Sequence, residues 1–151
     1  MKENTMSQEN ALSNEIQSKS SAGRPFGLWV VIVLSALMVY RVTTLMWIPL
    51  LGDTIPEFWI VAFTGDAFVG ITALIVAALL WRSRGLAVWT IAIIWQVIGL
   101  KDYTVGMQLQ FIEPFDPSMS NTMAMIFFGG GIAVHLVCIY LLVRYRNYYL
   151  G

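Results

Sequence analysis

Charge is what this chain has least of. Only 12% of its 151 residues are Asp, Glu, Lys or Arg, nine basic against nine acidic. A soluble domain of this length needs a polar surface, and a composition that is 58% hydrophobic does not supply one. The cancelling charges leave no basic stripe, so nucleic-acid binding has no electrostatic footprint. Cysteine is confined to Cys138, which excludes an internal disulfide and any C-x-x-C metal or redox motif. The single histidine, His135, is too few for a His-based metal site, and a haem would need its second axial ligand from elsewhere. No metal and no cofactor is expected. Enzyme signatures are missing as well: there is no H-E-x-x-H, no G-x-S-x-G and no C-terminal lipidation motif. Nothing in the residues selects a reaction.

What the chain has in abundance is long apolar runs, which raise its mean hydropathy to +0.69. A helix of about 20 apolar residues spans the hydrocarbon of a bilayer. Four runs reach that length, at about residues 26–51, 57–81, 86–108 and 121–143. The fold class expected is therefore all-α: a polytopic membrane protein whose four transmembrane helices form an up-down-up-down bundle, with short turns joining antiparallel neighbours. Residues 1–25 are rich in Ser, Asn, Gln, Glu and Lys and hold no aromatic residue, which reads as a disordered tail. They lack the apolar core of a signal peptide, so the first run is expected to be kept as a span. Residues 109–120 read as a longer link lying in the interface, with Phe111, Ile112 and Phe115 among acidic residues and prolines.

Arg24, Arg82, Arg84, Arg144 and Arg146 fall on one side of this arrangement, and Asp53, Glu57, Glu113 and Asp116 on the other. By the positive-inside rule both termini are cytoplasmic, most simply at a plasma (inner) membrane. Trp47, Trp59, Trp81, Tyr145, Tyr148 and Tyr149 sit near span ends, where aromatic rings anchor among headgroups.

Inside the spans lie a few groups that hydrocarbon does not tolerate alone. Asp66 is nine residues from Glu57, and Arg41 nine from Leu50, so helical rise puts both at about 13 Å below the same boundary. An unpaired charge at a span centre costs about 2.5 kcal/mol or more. Arg41 and Asp66 are thus expected to pair, Arg being the better partner for a buried acid. Small and polar residues recur at helical spacing along Ala62, Asp66, Gly70, Ala73 and Ala77. The same holds along Ala92, Gln96, Gly99, Tyr103 and Gly106, and along Gly131, His135 and Cys138. Such stripes let helices approach closely in lipid. The candidate binding or ion-pair residues are Arg41, Asp66, Gln96, Lys101, Asp102 and His135. The bland readings are a register-fixing ion pair for Arg41–Asp66, interhelical hydrogen bonding for Gln96, packing for His135, and snorkelling to headgroups for Lys101 and Asp102.

These observations lead to a small integral membrane protein, read first as a non-catalytic accessory or oligomeric subunit within a homo-oligomer or larger membrane complex. A small-solute or proton-coupled carrier using the Arg–Asp pair is the second reading, and an enzyme acting on a lipid-soluble substrate the third. The lipid bilayer is the partner common to all three.

Overall fold

A computed structural model describes residues 23–51, 56–114 and 119–151, and these are helical throughout apart from short connections. The expected disordered tail, up to residue 22, lies outside the described residues, as do Asp53, Phe115, Asp116 and Pro117. Four stretches are long and apolar enough to cross a membrane: Phe26–Leu50, Glu57–Arg82, Leu86–Ile112 and Asn121–Arg144. Their outward faces carry Leu37, Val61, Ile71, Ile75 and Ile126, all more than half exposed. A water-soluble bundle hides such side chains, whereas lipid tails accept them. The chain is a small membrane protein built as a helix bundle.

The first span is not one continuous α-helix. It comprises α1 (Phe26–Leu37), a 3-10 segment (Met38–Met46) and a short α2 (Trp47–Leu51). Runs of 3-10 helix beyond three or four residues are uncommon, so a nine-residue run needs a cause. Part of it is local. Thr43 and Thr44 donate their hydroxyls to the carbonyls of Tyr40 and Arg41, at 2.7 and 2.6 Å, three residues back. Pro49 cannot donate to Leu45, and its ring disfavours α geometry there. The other part is packing, because the inward row Ser35, Met38, Arg41 advances by three residues and matches three per turn.

The remaining spans are α3 (Glu57–Arg82), α4 (Leu86–Ile112) and α5 (Asn121–Arg144), followed by a short α6 (Arg146–Leu150). Pro56 and Glu57 open α3, where a fixed φ and a negative charge suit a helix N-terminus. Gly85 precedes α4 with φ of 121°, a conformation that a side chain resists. Ser120 caps α5 by accepting from the Met123 amide at 3.2 Å. The link after α4 is shorter than the sequence indicates, because residues 109–112 continue the helix. Trp59 then holds the chain beyond it, donating its indole N–H to the Glu113 carbonyl at 2.8 Å.

The expected small-residue stripes face inward: Gly70, Ala73, Ala77, Ala92, Gly99, Gly106 and Gly131 are all buried. Gly70 shows what the spacing achieves. A Cβ there would stand 2.6 Å from the backbone nitrogen of Val42, so α3 touches the main chain of the 3-10 segment. Two aromatic anchors behave differently from expectation. Trp59 and Tyr149 are 2% and 3% exposed, turned into the protein instead of outward to headgroups. Burial pushes the Tyr149 phenol up to about 12. Around Tyr149, one half of the bundle is filled by Leu28, Val31, Val69, Val76, Leu80, Trp95 and Leu142, an unbroken apolar core.

Candidate functional site

The other half holds the polar groups. Arg41 is 1% exposed, and its guanidinium is shared between two carboxylates. Nε donates to Asp66 Oδ1 and Nη2 to Asp102 Oδ2, so one side chain of the 3-10 segment bridges α3 and α4. Planar, multidentate donation is what suits Arg to this place. Gly65 makes the second approach feasible, since a Cβ there would lie 2.6 Å from Asp102 Oδ1. The Tyr103 ring lies under the guanidinium, with Cζ 4.2 Å from its centroid, and its hydroxyl is hydrogen-bonded to that of Tyr40. With both carboxylates ionised the group carries a formal charge of −1.

Deeper in the bundle a second polar chain crosses three helices. Gln96 of α4 donates its amide to Ser35 Oγ of α1 at 3.0 Å. Its Oε1 accepts from His135 Nδ1 of α5 at 2.6 Å. All three residues are buried. The His135 ring sits against Gly99, where a Cβ would come within 2.5 Å of Nε2. It also lies 5.7 Å, centroid to centroid, from the Tyr103 ring, so the two chains touch through aromatic contact. His135 Nε2 is buried without a hydrogen-bond partner among the described residues.

Five of the six sequence candidates therefore fall into two linked groups: Arg41 with Asp66 and Asp102, and Gln96 with His135. For Asp102 the sequence leaves open a place with Arg41 or snorkelling to the headgroups beside Lys101, and its side chain is on Arg41. Adjacent helical residues point about 100° apart, so one can face lipid while the next faces the core. Lys101 is exposed on α4, while Asp102 is partly buried. Tyr40 is the functional candidate the sequence reading missed. Its only signal was its place next to Arg41.

A cavity of about 290 Å³ opens beside the cluster. The 3-10 segment packs closely on α3, while α5 stands off from it, and the gap between them is the cavity. Asp66 and Asp102 face it, as do Tyr40, Thr44, Tyr103 and Trp59. Arg41 does not line it. Tyr40 and Phe127, each about half exposed, stand at its rim toward the surrounding lipid. A partly apolar hollow with a few converging polar groups is the usual form of a small-molecule site. The described residues contain no group of three His, Cys, Asp or Glu side chains placed to hold a metal ion.

Comparison with known proteins adds no relative: no family model, no curated protein and no solved structure matches this chain.

Proposed function

We propose that this membrane protein binds a small molecule in the cavity beside Arg41, and that Asp66 and Asp102 are the groups that meet it. One observation carries the reading. The two carboxylates are 22% and 18% exposed and line the hollow, while the Arg that holds them is 1% exposed behind them. A cluster built solely to fix helix register has no need to leave its acids accessible. The carrier reading belongs to the same class, with binding as its first step. A continuous channel finds less support, because the half of the bundle around Tyr149 is closed by side chains such as Leu28, Val69 and Leu142.

The accessory-subunit reading is the second one. The small-residue stripes at Gly70, Gly99 and Gly131 are taken up by Val42, His135 and Tyr103 of the same chain, whereas Gly129 and Gly130 keep open space beside them for an accessory or oligomeric contact. Native mass spectrometry of gently extracted protein tests the two against each other. The expected result is a small molecule bound to the chain, alone or as a homo-oligomer, and lost when Ala62→Phe fills the cavity. A stoichiometric second polypeptide with no small molecule would favour the accessory reading and make the cluster structural.

A further inference from the structure

The cavity's chemistry narrows what it can hold. Among the described residues its charged lining consists of two carboxylates, and no basic side chain faces it. With both carboxylates ionised, Arg41 supplies one positive charge against two negative ones, leaving −1 to be met from the cavity side. The guanidinium cannot offer itself to an anion. Its Nη1 is without a hydrogen-bond partner among the described residues but has no accessible surface, and the guanidinium is stacked on the Tyr103 ring. Lys101, next to Asp102 in the sequence, is exposed and does not line the cavity.

The rest of the lining is aromatic. Trp59, Phe63, Tyr103, Phe127 and Phe128 surround the hollow, and the floor is set by Ala62 and Gly106. Ring faces carry negative quadrupole potential and attract cations, most strongly when water is excluded. They also pack well on apolar or aromatic bodies. A hydrated metal ion fits this lining poorly, with few oxygen donors to replace its water. An uncharged apolar molecule fits the rings but leaves the carboxylates unanswered. Tyr40 and Phe127, about half exposed at the rim on span helices, give the occupant an apolar entrance.

We infer that the cavity takes a small lipophilic organic monocation, its charge against Asp66 and Asp102 and its apolar body among the rings of Trp59, Phe63 and Phe127. This rests on the reading of the cavity as a binding site, and it specifies the class of ligand. The occupant's size is bounded by the hollow of about 290 Å³, which suits an amine with a single aromatic ring better than a large polycyclic compound.

Benzyltrimethylammonium is a suitable probe, because replacing its nitrogen by carbon gives 2,2-dimethylpropylbenzene, the same shape without charge. Binding of the radiolabelled cation is measured on the full chain in nanodiscs of zwitterionic phosphatidylcholine, with the neutral compound as competitor. The expected result is saturable binding of one cation per chain, which a tenfold excess of the neutral compound does not displace. Combined Arg41→Met, Asp66→Asn and Asp102→Asn substitutions remove the charges together, so that none is left stranded. They are expected to weaken cation binding at least tenfold, with the helical circular dichroism kept. Displacement by the neutral compound at equal concentration would sink the charge inference and leave the binding site standing. Unchanged affinity in the neutralised variant would do the same. No binding of either compound to folded protein would overturn both the inference and the site.

Discussion

Arg41 donates to two carboxylates at once, so removing it leaves both, largely buried, without their charge partner. Breaking a buried ion pair from one side costs about 3–5 kcal/mol, whereas replacing the whole group with neutral side chains of similar volume is often close to neutral. Arg41→Met alone is therefore expected to lower unfolding stability in mixed detergent–SDS micelles by about 3–5 kcal/mol. Adding Asp66→Asn and Asp102→Asn to it is expected to restore stability to within about 1 kcal/mol of the parent. A triple variant as unstable as the single one would mean that the cluster holds the bundle together by attraction, beyond avoiding stranded charge. At this scale the sequence was informative about Arg41 and Asp66, because depth follows from counting residues at a fixed rise. It left Asp102 open between the cluster and the headgroups, because its side-chain direction depends on how α4 is rotated. The role of Gly65 was invisible for a related reason: a glycine's neighbours across a helix interface are known only once both helices are placed.

The first span shows the limit of periodicity at the scale of an element. Residues three apart share a face in both α and 3-10 helices, so the row Ser35, Met38, Arg41, Thr44 is consistent with either. Apolar length located the span, but the change in winding within it left no mark on composition. Local and tertiary causes can be ranked by size. Each of the two Thr back-bonds contributes about 1 kcal/mol, against about 3–5 kcal/mol for keeping Arg41 on its two carboxylates. The tertiary clamp should therefore decide the winding. Spin labels at Leu37 and Leu50, both well exposed, report it by dipolar spectroscopy, with Cys138→Ala as background. Nine residues at 3-10 rise give a separation of about 24 Å between these positions, and an all-α course about 20 Å. Thr43→Ala with Thr44→Ala is expected to leave the longer distance in place, while neutralising Arg41, Asp66 and Asp102 together shortens it by about 4 Å. Shortening in the threonine variant alone would assign the 3-10 course to local sequence.

For the whole molecule, the two halves of the bundle differ in kind. One is closed by an apolar core around Leu28, Val69, Trp95 and Leu142; the other holds the Arg41 cluster and the cavity. The closed half carries the basic end, where Arg24 donates to the Trp81 carbonyl and stacks near Trp29, while Arg84 stacks on Tyr148. Glu57 and Glu113 mark the opposite end. Basic residues close to span ends stay on the cytoplasmic side during insertion, whereas acidic residues have little influence. We therefore propose that the basic end faces the cytoplasm and the cavity lies in the outer half. The pattern was available from sequence because it depends only on which turn each Arg occupies; that the cavity lies in the opposite half depends on packing and was not. Single cysteines at Asn121 and Asn147, both exposed and at opposite ends, test the orientation. The native Cys138 is buried at 1% exposure and stays silent. In intact cells a membrane-impermeant maleimide is expected to label Asn121→Cys and to reach Asn147→Cys only after the membrane is opened. The reverse pattern would put the cavity in the cytoplasmic half, and its occupant would then have to come from inside the cell.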